Sequence, residues 1–104
     1  MRAITEKAVQ AFIKWERFSL SNTVVKVFEW VRQMFLHWNE IARLSWNQLM
    51  ITSAGWESNT TKERLNWILE EFWLWKIRQV NWDWFLVKPD WTSEDFIRMK
   101  VFEL

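Results

Sequence analysis

TVVKVFEWVRQMFLHWNEIARLSWNQLMIT, residues 23–52, is the stretch that decides the fold. Apolar and polar side chains alternate over short runs, and polar turn residues interrupt them at close intervals, which is the period of half-buried strands. Thr23 to Phe28 is β-branched and alternates. Arg32 to His37 puts Met34 and Leu36 on one face, Glu40 to Leu44 follows a two-residue turn, and Gln48 to Thr52 follows the next. Connections this short permit only antiparallel neighbours, so the stretch predicts a four-strand meander.

Its turns carry the wrong residue. His37-Trp38-Asn39 and Ser45-Trp46-Asn47 here, and Asn81-Trp82-Asp83 and Asp90-Trp91-Thr92 further on, place a large indole where turn chemistry favours glycine. The whole chain has eleven tryptophans, one glycine and no tyrosine, so the substitution is systematic. Tight hairpins need positive φ at one or both central residues, which glycine reaches freely and a bulky side chain does not. Read as glycines, Trp38, Trp46, Trp82 and Trp91 restore strong hairpin signals. Trp15, Trp30, Trp67, Trp73 and Trp75 extend the same set. A glycine-containing ancestor in which glycines became tryptophans accounts for the pattern.

Working outward, two segments have helical period. Thr5 is placed to cap a first helix in which Ala8, Ala11, Phe12 and Trp15 share a face and Ile4 staples onto Val9, with an end between Lys14 and Arg17. Thr60 and Glu63 form a capping-box pattern for a second, with Leu65, Ile68, Leu69 and Phe72 as its apolar stripe and Lys62, Arg64, Glu70 and Glu71 outside. Its end is expected between Phe72 and Trp75, with a left-handed cap if Trp73 and Trp75 stand for glycines. Strands at Lys76 to Val80, Asp83 to Val87 and Phe96 to Phe102 complete the chain. The predicted fold is α+β in one domain, residues 1–104: a meandering antiparallel sheet of about seven short strands packed with two helices, in the order helix, four strands, helix, three strands.

Composition narrows the function classes. Fourteen basic and thirteen acidic side chains leave a net charge of +1, unlike the broad basic footprint of a non-specific nucleic-acid or membrane-surface binder. No cysteine is present for a disulfide or thiolate metal site, which fits a reducing cytoplasm. No run approaches the length of a membrane span, and Met1 to Lys7 lacks the apolar core of a signal peptide. A soluble cytoplasmic protein is expected, without membrane association.

Catalytic chemistry has little to stand on. His37 is the only histidine and is assigned a structural or solvent-facing role, so no metal centre and no cofactor is expected. Glu70-Glu71 and Glu94-Asp95 are adjacent pairs whose side chains diverge, as solvated charges do. Hydroxyls are common, but no base accompanies them and no glycine-rich loop cradles phosphate. The chain is read as a non-enzyme. Function concentrates instead in Ser53 to Thr61, a polar loop carrying Gly55 and Trp56 into a helix start at Asn59, Thr60 and Thr61, with Lys62 and Arg64 behind; helix-terminal amides there could hold an anion. In the plainer reading, Asn59, Thr60 and Thr61 cap and turn, Gly55 supplies an awkward dihedral, and Trp56 plugs the core. Arg43 and Arg78, with Arg32, Lys76, Lys88, Arg98 and Lys100, lie on strands or near their ends. With aromatics they offer a face for single-stranded nucleic acid, or the solvated face of an amphipathic sheet.

The run Ile51-Thr52-Ser53-Ala54-Gly55-Trp56, followed by Asn59-Thr60-Thr61-Lys62-Glu63-Arg64-Leu65-Asn66, resembles the signature of a family of small uncharacterised proteins of phages and other bacterial mobile elements. Asn22 to Val27, Leu36 to Ala42 and Asp83 to Leu86 resemble its flanking strands. Gly55, Trp56 and Trp84 match that family as they stand, whereas the positions of Trp38, Trp67 and Trp82 are usually glycine there. The resemblance implies no assigned activity. The expected function is a small phage accessory protein that binds a host or viral protein. The alternatives are a single-stranded nucleic-acid binder and a self-assembling structural protein, a homo-oligomer built on tryptophans exposed in loops.

Overall fold

The structure, a computed structural model, describes residues 2–20, 22–55, 58–72, 75–81, 83–96 and 98–104. In chain order these form α1 (Arg2–Ile13), β1 (Phe18–Leu20), β2 (Thr23–Phe28), β3 (Val31–Leu36), β4 (Asn39–Ser45), β5 (Gln48–Thr52), α2 (Asn59–Glu71), β6 (Lys76–Val80), β7 (Asp83–Val87), β8 (Ser93–Asp95) and β9 (Met99–Glu103). The α+β class and the two helices are as read from the sequence.

The strands form two antiparallel sheets rather than one meander. The larger runs β1-β2-β3-β4-β5-β9 and the smaller β6-β7-β8. The expected strand from Phe96 to Phe102 is two pieces. Phe96, directly after β8, stays beside β7, where its N donates to Trp84 O at 3.1 Å. Arg98, at φ 74°, then breaks the extended path, and β9 crosses to β5 with Leu49 opposite Phe102. Strand β1 escaped the sequence reading because three residues are too few to show a period.

Register fixes the core. Val25, Met34, Leu49 and Phe102 point to one face of the large sheet, and a bulge at Met34/Phe35 turns the successive residues Ile41 and Ala42 inward. Against that face pack Ala8, Val9 and Phe12 of α1 and Leu65, Ile68 and Leu69 of α2. Ile77, Trp84, Leu86 and Phe96 from the small sheet join the same cluster. The apolar stripes of both helices therefore fall where their periods put them, except that Trp15 is exposed past the end of α1 and Phe72 is half-buried at the C-cap of α2.

Both expected helix starts move. Helix α1 begins at Arg2, and Thr5 lies inside it with its side chain fully buried, where its hydroxyl accepts from Arg64 Nη1. Helix α2 is capped by Ser58, two residues before Thr60, through Thr61 N donating to Ser58 Oγ at 3.2 Å. Its end at Glu71, with Phe72 as C-cap, falls at the expected place. Phe72 itself has φ −98°, and Trp73 lies outside the described residues.

Helix α1 closes on a tryptophan. Glu16 N donates to Ala11 O at 2.9 Å across Trp15, whose φ is 62°: a Schellman motif with tryptophan where glycine is usual. Arg32 of β3 covers this end, donating from Nη1 to Phe12 O at 3.2 Å and Ile13 O at 2.5 Å, its guanidinium 3.8 Å from the Trp15 ring centre. The hairpin loops repeat the pattern. His37 and Trp38 both have positive φ (50° and 66°), as a type I′ turn demands, and Trp46 has 38°. Trp91, at 71°, follows a turn closed by Trp91 N to Lys88 O at 2.9 Å, where a G1 bulge places glycine. Trp30, Trp67 and Trp75 have no positive φ, and Trp82 lies outside the described residues.

Candidate functional site

The loop leaving β5 is held by local side-chain acceptors. Ala54 N donates to Thr52 Oγ1 at 3.0 Å and Gly55 N to Ser53 Oγ at 3.3 Å, while Ser53 N reaches across to Arg98 O at 3.0 Å. Two left-handed residues, Ala54 at φ 54° and Gly55 at 82°, then turn the chain outward. Gly55 is exposed with open space around its Cα, so its backbone conformation is what calls for glycine. Trp56 lies outside the described residues.

The helix start that follows is occupied by its own chain. Thr61, buried, uses its N–H and hydroxyl on Ser58, and Lys62 N bonds Ser58 O at 3.0 Å. Asn59 is exposed and Thr60 half-buried. Lys62 extends away from the helix start to Gln79 Oε1 of β6 at 3.1 Å, tying α2 to the small sheet.

Arg64 was expected outside and is the largest fully buried side chain. Its Nε and Nη2 donate to Thr23 Oγ1 at 3.3 and 3.2 Å, and its Nη1 donates to Glu63 Oε1 at 3.0 Å and to Thr5 Oγ1. Thr5 in turn donates to Glu63 Oε1. The helix period left this position polar, and the fold answers with two hydroxyls and a half-exposed carboxylate. Burial pulls the guanidinium below its ordinary pKa, opposed by the Glu63 charge and hydrogen bond.

The remaining basic candidates diverge. Arg43, on the outer face of β4, pairs bidentately with Glu40 at 2.8 and 2.9 Å, and that hydrogen bonding raises its pKa. Arg78 is exposed on the small sheet, lining an open groove of about 400 Å³ with Val80, Phe85 and Trp91. Lys88 and Lys100 share Glu94 and flank the Trp75 ring at 5.2 and 4.7 Å. Arg43, Arg64 and Arg78 thus face three different directions. His37 is exposed in its turn, 3.4 Å from Asn22 Nδ2, and no group of three or more metal-ligating side chains gathers among the described residues.

Two features lay beyond the sequence reading. Trp30 and Trp46, in the β2–β3 and β4–β5 turns, meet edge to face at 6.3 Å; with Phe28 they form an exposed aromatic tip at one end of the large sheet, each at least two-thirds accessible. The register of four strands brings those turns together, so no local signal announces it. The second is a cleft of about 460 Å³ between the Ser53–Gly55 loop and the small sheet, whose walls include Asp83, Trp84, Phe85, Asp95 and Arg98. Glu94-Asp95 reads as a solvated pair in sequence; in the fold, Glu94 neutralises lysines while Asp95 faces this cleft.

No helix among the described residues is long and apolar enough to cross a membrane. Residues 1–103 match a family model described as the Kyanoviridae Gp96 protein. No curated protein and no solved structure matches the chain.

Proposed function

Because the chain belongs to the Kyanoviridae Gp96 protein family, a phage family of unassigned function, we propose that it is a non-catalytic phage accessory protein that binds a host or viral protein in the host-cell cytoplasm. The aromatic tip of Phe28, Trp30 and Trp46 carries this reading. Three large, exposed rings on adjacent turns form the kind of patch that protein partners cover, and Trp is enriched among residues that dominate binding energy. The loop residues Gly55 and Asn59, exposed beside Thr60, offer a further contact. Nucleic-acid binding is less favoured because Arg32, Arg43, Arg64, Lys88 and Lys100 are engaged within the chain, leaving no continuous basic track among the described residues.

The test is capture from bacterial lysate with the tagged protein, with and without nuclease, beside a W30S/W46S variant. A discrete protein partner that survives nuclease and is lost by the variant supports the proposal. Recovery that depends on nucleic acid transfers it to the basic side chains. The same patch also favours self-association; a molar mass that rises with concentration for the parent and stays monomeric for W30S/W46S would establish that alternative.

A further inference from the structure

We infer that the outer face of the small sheet is a self-recognition surface, on which a second copy of this chain packs about a two-fold axis running along β7. Register lays this face out in rows. Arg78 of β6 stands opposite Phe85 of β7, and Phe85 stands opposite Asp95 of β8, so one row reads basic, aromatic, acidic across the sheet. Lys76, Val87 and Ser93 make the next row. These side chains point away from Ile77, Trp84 and Leu86, which alternation sends into the core. An open groove of about 400 Å³ runs over the face between Arg78, Phe85 and Val87, with Val80 and Trp91, 55% and 80% exposed, among its walls. Apolar surface left open on a sheet is what a second layer covers.

Charge names the occupant. Lys76, Arg78, Asp83 and Asp95 are all exposed on this face, and none of them forms a salt bridge among the described residues. Their charges sum to zero, so the face favours neither an acidic nor a basic partner, yet its two outer strands carry opposite signs. A two-fold axis along β7 lays β6 of one copy over β8 of the other. Arg78 then meets Asp95 of the second copy, Asp95 meets its Arg78, and Phe85 and Val87 meet their own equivalents in a self-complementary apolar centre. An axis across the strands would instead stack β6 on β6 and set like charges together, so the pattern selects one orientation. Asp83 at the start of β7 is the one like-charge neighbour, and the crossing of about 30° between packed sheets carries its two copies apart. Strand spacing and rise make the face about 14 Å by 17 Å, small beside a permanent interface, so a dimer that dissociates in the micromolar range is expected. The aromatic tip of Phe28, Trp30 and Trp46 lies on the other sheet and takes no part, so the inference stands apart from the protein-binding reading.

The experiment is sedimentation equilibrium of the full-length protein from micromolar to submillimolar concentration, for the parent, R78D, D95R and an equimolar mixture of the two variants. The parent mass should rise from 13.0 kDa towards twice that value and no further. Each variant alone sets two like-charge pairs across the interface and should dimerise about tenfold more weakly or worse. In the mixture both cross-interface pairs are again opposite in charge, and the dimer should return, a recovery that damage to the fold does not produce. W30S/W46S should dimerise as the parent does, which separates this contact from association through the aromatic tip. Should a single variant fail to fold, R78D/D95R in one chain restores both attractive pairs and should dimerise like the parent. A parent that stays at 13.0 kDa, single variants that associate unchanged, a mixture of folded variants or an R78D/D95R chain that stays monomeric, or loss of the dimer in W30S/W46S would overturn the inference.

Discussion

Trp15, Trp38, Trp46 and Trp91 all hold left-handed backbone, at a cost of roughly 1–2 kcal/mol each for a residue with a side chain. Trp38 and Trp91 are also about four-fifths exposed, so little packing offsets that cost. Trp38→Gly and Trp91→Gly are therefore expected to stabilise the protein by about 1 kcal/mol each, visible as a higher Tm by calorimetry; no gain at either position would show that the indoles make compensating contacts. Trp15 differs because Arg32 stacks on it. Arg64 is the opposite case, a charge the fold has surrounded. Arg64→Ala should cost about 3–5 kcal/mol in urea unfolding, since it leaves a cavity and removes the guanidinium donor from Thr5, Thr23 and Glu63, and Arg64→Met should cost less because it refills the space. The positive φ of Trp38, Trp46 and Trp91 was legible from turn chemistry, whereas extending that reading to Trp15, Trp30, Trp67 and Trp75 held only at Trp15. The burial of Arg64 was not, because its hydroxyl partners lie 41 and 59 residues away in sequence.

At the scale of elements, β2, β5, β6 and β7 begin and end where alternation and turn residues place them, and the helices bury Ala8, Ala11 and Phe12 and Leu65, Ile68 and Leu69 of their predicted stripes, while Trp15 stays exposed past the end of α1. Helix starts were harder. Ser58, Thr60 and Thr61 are chemically interchangeable as caps, and only the fold decides that Ser58 holds Thr61 N. The β7–β8 hairpin carries the pH dependence. Asp90 has its pKa lowered by hydrogen bonds from Thr92, and Glu94 by the hydrogen bond and charge of Lys100. A carboxylate with a depressed folded-state pKa stabilises above its unfolded value of about 4 and loses that contribution as pH falls through the folded value. Amide exchange in β7 and β8 is therefore expected to accelerate below about pH 4 before that of β3 and β4 does, and D90N should abolish part of this acid sensitivity. Uniform acceleration across both sheets would contradict it.

Across the whole molecule, the two sheets share one apolar cluster, and Phe102 sits where they meet. It pairs across from Leu49 and takes the Trp75 ring edge to face at 5.4 Å and 90°. Phe102→Ala should cost about 3–5 kcal/mol. Both sheets should lose protection together in hydrogen exchange, whereas loss confined to β9 would mean the sheets are held by other contacts. The candidate sites were least legible at this scale. Local patterns reveal strands, but the aromatic tip and the row of Arg78, Phe85 and Asp95 exist only once β2–β3 meets β4–β5 and once β6 and β8 flank β7.

The order of the large sheet also bears on synthesis. Strand β5 finds its outer neighbour in β9, and 46 residues (53–98) separate the two in the order of synthesis. Throughout that interval the nascent chain presents β5 as an open edge with Leu49 and Ile51 uncovered, and any interruption of translation would release a fragment able to add strands from other copies. Strand β9 thus acts as a molecular selvedge, and the yield of soluble protein should depend on how promptly it arrives.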